Sequence, residues 1–481
     1  MFLFYLFLFI LNIISSKNEK LIFVETIFRH GARAPIKVNK TKDLMGASWN
    51  YTGELTAIGK RMEYLLGVYN RERYIKNFTF LSENYDPHEL LIYSSDNNRT
   101  LISISSLLQA LYPMSNETGD KLNEEQLSTA FPPLNISCDE IDDKINILKD
   151  SALPNYMNIF PIHFITLENT TKECVEKIKE LTNKNAQEKK IILDFVEEFN
   201  KNYSEQLNQA YQRPSGNKFN FSFIFPIYDA MICDITEGKD RDISKFCKSN
   251  NIDMNNYISK RYEVETINYR DYYFGDDNNE VILFYSTPVF RQMIYNMKRK
   301  IDDDIKGNPS LKNVSDFSVP KMVIISGHDT TLSAHELIFI KYFGLKMEQY
   351  EYPKYASQIN YEIRRDDDIS GKTLNYSDYK LSYYFNNKLL LNISFEKFVE
   401  KVENVLWSNE RMDKFCFGDK KKEIKVLKEE EIEASLVIII IMGFTILILV
   451  IVIIFLVIKL TYKKDDLFES FKDNRLLNDG K

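Results

Sequence analysis

Glycine and proline are scarce in this chain, and positive charge has no surplus. The 481 residues include 16 glycines and 13 prolines, too few for a long low-complexity linker. Lysine and arginine number 62 against 69 aspartates and glutamates, which gives a formal net charge of −7. Because nucleic-acid binders usually carry a basic surplus, this balance argues against a nucleic acid as a partner.

Cysteine is also sparse. The five cysteines are too few for a disulfide scaffold, and no Cys-x-x-Cys pair indicates a zinc site. In an oxidising compartment, two bridges with one thiol left over would be the simplest arrangement. The remaining composition, with 44% hydrophobic and 27% charged residues, is that of a folded globular protein.

An apolar run at the N-terminus departs from this average. Phe2–Ile14 is too short to span a bilayer, which takes about 20 residues. The run predicts a secretory signal peptide over residues 1–16, although no lysine or arginine precedes it. A buried N-terminal strand is the alternative.

A second apolar run lies near the C-terminus. Ala434–Ile458 has 25 residues without a charge, enough for a membrane helix. Lysines flank it on both sides, so charge leaves the orientation open, whereas the signal peptide predicts translocation of the N-terminal part. We therefore expect a single-pass type I membrane protein with a luminal or extracellular domain at 17–419. A charged stalk at 420–433, the membrane helix at 434–458 and a cytosolic tail at 459–481 would follow.

Two further signals bear on the compartment. Twelve Asn-x-Ser/Thr sequons predict a glycoprotein, although a chain rich in asparagine forms some of them by chance. Leu476-Leu477 in the tail resembles a dileucine signal for a lysosome-like compartment, but Lys472 stands where the usual acidic residue would be.

Strand and helix patterns alternate at both ends of the predicted luminal part. Short apolar runs predict strands at Leu21–Phe28, Leu90–Tyr93 and Met322–Ile325. Helical spacing predicts helices at Thr56–Tyr69, Asn98–Leu111, Thr287–Ile305 and Thr331–Phe343. This alternation favours an α/β fold with a mostly parallel central sheet flanked by helices. The more polar stretch at about 116–278 is predicted to be an inserted, mainly helical cap domain.

A histidine between two arginines follows the first predicted strand. Arg29, His30 and Arg33 stand at its carboxyl end, where open α/β sheets bind ligands. The two guanidiniums should depress the pKa of His30 below its usual value of about 6.5. Arginine suits multi-donor contact with phosphate, and Gly31 should let the backbone approach a bound group. A surface basic patch is the alternative.

The other two predicted strands end in residues of similar chemistry. Arg99 follows the second strand at the start of a helix, and His328-Asp329 follow the third. A histidine can donate hydrogen bonds to a phosphoryl oxygen, and a carboxyl group can give a proton to a leaving oxygen. Each motif alone also fits a helix cap, but the three together predict a phosphate site at one edge of the sheet.

These motifs resemble the histidine acid phosphatases, the branch of the histidine phosphatase superfamily that includes the prostatic and lysosomal enzymes. The resemblance rests on Arg-His-Gly-x-Arg-x-Pro at Arg29–Pro35 and on the pair His328-Asp329. It covers most of Leu21–Cys416 and implies a phosphoglycerate mutase-like core.

The resemblance implies an acid phosphatase that hydrolyses phosphate monoesters through a phosphohistidine. His30 would be the nucleophile and Asp329 the proton donor. Four residues would bind the phosphoryl oxygens, namely Arg29, Arg33, Arg99 and His328. No metal or other cofactor is implied, because the guanidiniums supply the positive charge. A homodimer is one assembly that stays open.

The resemblance also implies a disulfide between Cys174 and Cys416. The chain departs from the vertebrate pattern after Tyr355-Ala356-Ser357, because Gln358 replaces a cysteine. Cys233 thereby loses its usual partner, and Cys247 is the tentative replacement. Cys138 would be the odd thiol.

Two other functions compete with this one. A phytase or inositol-polyphosphate phosphatase would share the His-Asp pair, but the chain has no basic surplus for a highly phosphorylated ligand. A catalytically inactive receptor or adhesion ectodomain would be expected to have lost His30, an arginine or Asp329, and all are present.

Overall fold

Seven strands form one sheet. The computed structural model describes residues 19–36, 49–115, 120–130, 139–165, 174, 176–181, 190–274, 280–307, 320–367 and 373–418. The strands are β1 (Glu19–Arg29), β2 (Leu90–Ser94), β3 (His163–Phe164), β4 (Met322–Gly327), β5 (Gln358–Asp366), β6 (Tyr379–Phe385) and β7 (Lys388–Ser394). Their order across the sheet is β3-β2-β4-β1-β5-β6-β7.

The sheet is mixed, so the prediction of a mostly parallel sheet was wrong. β3, β2, β4 and β1 pair in parallel, whereas β5, β6 and β7 add antiparallel pairs on the other side of β1. One of these antiparallel pairs has a local cause: the chain turns back between β6 and β7 at Asn386-Asn387, both with positive φ. Asparagine tolerates that conformation, and such two-residue turns join antiparallel strands.

Helices flank the sheet and make up most of the described part of the segment predicted to be a cap. They are α1 (Ala57–Arg71), α2 (Asn98–Leu111), α3 (Glu124–Thr129), α4 (Asp139–Leu148), α5 (Lys190–Ala210), α6 (Phe221–Thr236), α7 (Asp240–Ser249), α8 (Met254–Ser259), α9 (Arg261–Phe274), α10 (Glu280–Ile305), α11 (Asp329–Phe343), α12 (Phe395–Glu403) and α13 (Asn409–Phe417). A π-helical turn at Glu72–Asn77 extends α1, and 3-10 turns lie at Pro154–Tyr156, Met347–Gln349 and Tyr376–Asp378.

Two hydrophobic clusters support these layers. The first joins β1, β2 and β4 to α1 and α2, with Val24, Ile92 and Ile324 on the strands and Leu107 on α2. The second lies within helices α5 to α9 and is rich in aromatic rings, among them Phe199, Tyr228 and Tyr257. The helical part of the predicted cap therefore has a core of its own, although β3, which also falls within 116–278, joins the edge of the central sheet.

Several expectations concern residues outside those described. The chain divides into one unit up to Ser408 and another from Asn409, of which α13 is the described part. Among the described residues, no helix is long and apolar enough to cross a membrane. The predicted signal peptide, stalk, membrane helix and tail all lie outside the described ranges.

The cysteines only partly follow the predicted pairing. Cys174 and Cys416 are each disulfide-bonded. Cys233 and Cys247 are free thiols, so the tentative bridge between them was wrong. Cys233 on α6 instead lies against Arg33 and Tyr355, with its Sγ 3.3 Å from the tyrosine hydroxyl. Cys247 on α7 is packed in the cluster of helices α5 to α9.

Candidate active site

Three parallel strands end at the same level. Arg29 of β1 pairs with Gly327 of β4, and Ser94 of β2 pairs with Ser326 of the same strand. The backbone N–H of His30 donates to the carbonyl of Gly327 at 3.0 Å, just beyond the paired residues. This register places the three sequence motifs side by side at the carboxyl edge of the sheet, where α/β folds bind ligands.

His30 is a buried, neutral imidazole with a defined tautomer. Its Nδ1 lies 2.8 Å from the carbonyl oxygen of Gly31, which can only accept, so Nδ1 carries the hydrogen and Nε2 keeps a lone pair. Burial lowers the pKa of His30 well below its usual range, and the nearby cations lower it further. The neighbours that act on it are Arg29, Arg33, His328 and Arg99.

Gly31 is required for packing. A Cβ at Gly31 would lie 2.4 Å from the carbonyl oxygen of Gly59, and a Cβ at Gly59 would lie 2.1 Å from that of Ala32. The N-terminal turn of α1, capped by the Thr56 side chain, therefore docks directly on the loop that carries His30. We expected Gly31 to let a bound ligand approach the backbone. Among the described residues, however, the group packed closest to Gly31 is the backbone of α1 at Gly59.

Arg29 is fixed by an ion pair and an aromatic cage. Its Nη2 lies 2.7 Å from Oδ2 of Asp329, and its Nη1 donates to the Tyr352 hydroxyl and to the Pro353 carbonyl. The guanidinium stands over the Tyr355 ring, 4.3 Å from its centre. Burial alone would raise the pKa of Asp329, but the adjacent Arg29 and Arg33 hold it below its ordinary value. Asp329 is therefore ionised in the ligand-free site.

Arg33 is held by a residue that the sequence did not reveal. Its two terminal nitrogens lie 2.8 and 3.4 Å from the carboxylate oxygens of Asp229 on α6. Asp229 also accepts from the backbone N–H of Ile36. No local pattern around Asp229 signals this role, because only the packing of α6 against the His30 loop brings the carboxylate there.

His328 and Arg99 complete the cluster. Nη2 of Arg99 lies 3.3 Å from Nδ1 of His328, and the Ser95 hydroxyl lies 2.9 Å from its Nε2. A guanidinium can only donate, so Nδ1 accepts and Nε2 carries the hydrogen. Burial and Arg99 lower the pKa of His328 to about 4. Its ring centre lies 5.5 Å from that of His30.

All six predicted site residues thus meet in one place. In each of the three arginines, Nε is buried and has no hydrogen-bond partner among the described residues. Within the same described set, no cluster of His, Cys, Asp and Glu side chains is arranged to hold a metal ion.

Residues 20–381 match the family described as the histidine phosphatase superfamily (branch 2). The chain belongs to this family. The predicted resemblance is thereby confirmed. The motif residues at the strand ends belong to a histidine phosphatase, and they do not form the surface basic patch that was the alternative.

Curated relatives share the family. Prostatic acid phosphatase of Homo sapiens is 41% identical over 113 residues, which are 23% of this chain and 28% of that protein. Lysosomal acid phosphatase of Xenopus laevis is 22% identical over 374 residues, 78% of this chain and 71% of that protein. The match with the human protein thus spans only about a quarter of its length. These relatives and the family support the predicted enzyme class, a phosphatase.

A solved structure supports the fold. The phytase from Citrobacter braakii superposes with a TM-score of 0.50 at 13% identity, covering 81% of this chain and 98% of that one. At this identity the likeness concerns the α/β fold alone.

The remaining histidines of the described region are not part of the cluster. Nδ1 of His335 shares a hydrogen bond with the Tyr361 hydroxyl at 2.7 Å, and its ring stacks on Phe290, which is a structural role. Beyond Asp229, sequence reasoning also missed Ser95, Tyr352 and Tyr355. Tyr355 was noted only as part of a motif, and nothing in its sequence context predicts a ring beneath a guanidinium.

Proposed function

We propose that the chain is an acid phosphatase that hydrolyses phosphate monoesters through a phosphohistidine on His30. One observation carries the proposal: the hydrogen bond from Nδ1 of His30 to the Gly31 carbonyl leaves the lone pair of Nε2 beside three guanidiniums. An anion bound by Arg29, Arg33 and Arg99 would present its phosphorus to a nucleophile that is neutral at acidic pH.

In the first step, Nε2 of His30 attacks the phosphorus and the bond to the ester oxygen breaks. Arg29, Arg33 and Arg99 stabilise the phosphoryl oxygens, and His328 joins them when its Nδ1 gains a proton and can donate to the phosphate. Asp329 gives a proton to the leaving oxygen. In the second step, water attacks the phosphohistidine and gives its proton back to Asp329, which releases inorganic phosphate.

Asp329 must be protonated for the first step, although it is ionised in the ligand-free site. A phosphate ester that binds Arg29 competes with the ion pair of 2.7 Å, and its own negative charge raises the pKa of the carboxyl group. Substrate binding and acidic pH therefore favour the protonated acid together, while His30 stays neutral.

Hydrolysis of 4-nitrophenyl phosphate tests the proposal. We expect the wild type to be most active below neutral pH and to remain active in the presence of a chelator. His30→Ala should lose at least about 100-fold, the scale of a lost covalent nucleophile. The matched control is His88→Ala, at a histidine outside the cluster, which should retain activity. Equal rates for wild type and His30→Ala would refute the nucleophile.

A phytase activity is the second candidate within enzymes. Asp229 holds Arg33, and the charge of Glu54 acts on Arg99, so carboxylates already surround the predicted phosphate site. These carboxylates and the net charge of −7 disfavour a substrate with many phosphates. We expect 4-nitrophenyl phosphate to be turned over faster than phytate, and the reverse order would favour the second candidate.

We further propose that the enzyme is a type I membrane protein whose active domain faces the lumen of a lysosome-like compartment or the cell exterior. The apolar run at 434–458 supports this anchor. Alkaline extraction of membranes should leave the full chain in the pellet, and deletion of 434–458 should release it. Sedimentation of the purified protein would decide between a monomer and the homodimer that the sequence leaves open.

A further inference from the structure

One face of α9 packs against the residues that hold Arg29. Tyr262 and Tyr269 on this helix both contact the Tyr352 ring, with ring centres 5.9 and 5.8 Å away. The Tyr352 hydroxyl accepts from Arg29 and donates to Asp329, at 2.9 and 3.3 Å. Residues three and four apart share one face of a helix, so Glu265, between these tyrosines, faces the active site as well.

Glu265 is a buried carboxyl group that the proposed reaction leaves without a task. It is only 2% exposed, in a helix that packs against the residues around Arg29. Burial of a carboxyl group is costly and calls for an explanation. The charged groups that act on it come from elements packed around the site, namely Arg29 and Arg33 after β1, Asp229 on α6 and Asp329 on α11. The charge of Glu265 acts in turn on the hydroxyls of Tyr269 on α9 and of Tyr350 and Tyr352 after α11.

The two carboxyl groups of the site have opposite environments. Arg29 keeps Asp329 ionised, whereas burial and the nearby carboxylates of Asp229 and Asp329 raise the pKa of Glu265 well above its usual range. Glu265 is therefore the group that holds a proton when no ligand is bound. When the surroundings raise the pKa of one acid and lower that of its neighbour, the two acids can have different roles in proton transfer.

We propose that Glu265 is the proton store of the active site and acts through Asp329. When an ester binds Arg29, the O–H of Glu265 gives its proton to the Asp329 carboxylate, and Asp329 passes it to the leaving oxygen. In the second step, the attacking water gives its proton to Asp329, which returns it to Glu265. No external proton is consumed, and the alcohol leaves with the stored one. This inference rests on the proposed phosphatase function.

The substitution Glu265→Gln isolates this role. Glutamine keeps the shape and zero charge of the protonated acid but has no proton to give. We expect kcat on glycerol 2-phosphate, whose alkoxide needs a proton, to fall at least about tenfold. On 4-nitrophenyl phosphate, whose leaving group departs as an anion, kcat should stay within about twofold. The alkaline limb of the profile for glycerol 2-phosphate should also move to lower pH.

Controls separate this role from a structural one. Glu336→Gln alters another buried carboxyl group, on which burial and Glu351 act rather than the site residues, and should leave the ratio of the two kcat values unchanged. The inhibition constant of inorganic phosphate for Glu265→Gln should match that of wild type. If this variant does not fold, Glu265→Asp decides: because it still ionises, it should keep the wild-type ratio.

The outcomes are distinct. The proton store would be overturned if Glu265→Gln lowered kcat equally on both substrates or on neither. It would also be overturned if the alkaline limb of this variant matched that of wild type. For Glu265→Asp, the proposal would be overturned if the ratio of kcat on glycerol 2-phosphate to kcat on 4-nitrophenyl phosphate fell as far as is expected for Glu265→Gln. Failure of the phosphatase proposal would appear instead as a wild type that does not outperform His30→Ala.

Discussion

Arg33 differs from the other two arginines of the site because one carboxylate takes both of its terminal nitrogens. Asp229 thereby sets the direction of the guanidinium before any phosphate binds. Such preorganisation matters because a guanidinium that becomes ordered only on binding loses conformational entropy, and this loss weakens the affinity for phosphate. At this scale the site is a set of cations held in place by their neighbours, with Asp229 holding Arg33 and Asp329 holding Arg29.

Asp229→Asn should therefore weaken substrate binding. Asparagine offers Arg33 one oxygen instead of two and no charge, so we expect KM for 4-nitrophenyl phosphate to rise about tenfold, equivalent to about 1.4 kcal/mol. Asp234→Asn, one turn further along α6, removes a carboxylate that binds Trp49 instead, and its KM should stay within about twofold. A KM for Asp229→Asn at or below the wild-type value would contradict the anchoring role.

Arg99 should control the acid limb of the activity profile. Its charge lowers the pKa of both His328 and His30, so its removal raises both. In Arg99→Gln the imidazoles become protonated at higher pH, and the acid limb of kcat/KM should move upward in pH. Each pH profile of kcat/KM is scaled to its own maximum. A shift of the acid limb can then be distinguished from the lower activity caused by the loss of a phosphate-binding residue. An unchanged acid limb would mean that Arg99 does not set these pKa values.

At the scale of secondary structure, the site depends on the close contact between α1 and the loop after β1. Gly59→Ala should break it, because the added Cβ would lie 2.1 Å from the Ala32 carbonyl oxygen. Overpacking of this kind costs about 1–3 kcal/mol, and we expect a lower thermal unfolding midpoint together with lower kcat. Lys60→Ala, at the next and exposed residue of α1, is the control and should change neither.

The elements differ in how far their sequence predicts them. α2 begins and ends where its apolar spacing indicates, at Asn98 and Leu111, and the three strands that carry the motifs were found from short apolar runs. β5 was not predicted, because its buried residues include the charged Glu362 and so do not form an apolar run. In the folded protein, ion pairs with Arg73 and Arg364 neutralise Glu362. Sequence does not encode such pairings locally.

The same limit applies to the site. The six motif residues could be predicted because parallel strands in register bring their carboxyl ends together. Asp229 and Glu265 could not, since they lie on α6 and α9, far along the chain from the loop after β1. Asp229, for example, is separated from Arg33 by 196 residues. Their positions follow from the tertiary packing of these helices, which no local sequence pattern signals.

At the scale of the whole molecule, buried acids and buried histidines set the response of stability to pH. Burial raises the pKa of Glu25 to about 8 and also raises the pKa of three other glutamates, Glu63, Glu265 and Glu336. Their contribution is complete below the unfolded value of about 4.3 and is lost as pH rises through the folded pKa. His335, whose pKa burial lowers to about 3, acts in the opposite sense, since its contribution is lost as pH falls below about 6.5.

These two effects oppose each other between about pH 4.5 and 6.5, and only the glutamate effect remains above that range. Because the glutamates outnumber the histidines, the thermal unfolding midpoint should fall gently between pH 4.5 and 6.5 and more steeply from pH 6.5 to 8. Each ionising glutamate adds about 1.4 kcal/mol per pH unit to this loss. Glu25→Gln should reduce the fall, because glutamine has no proton to lose, whereas Glu348→Gln at an exposed position should reproduce the wild-type slope. If the midpoint of Glu25→Gln fell as steeply as that of wild type between pH 6.5 and 8, ionisation of Glu25 would not contribute to the loss of stability, and its cause would have to be sought in other titrating groups.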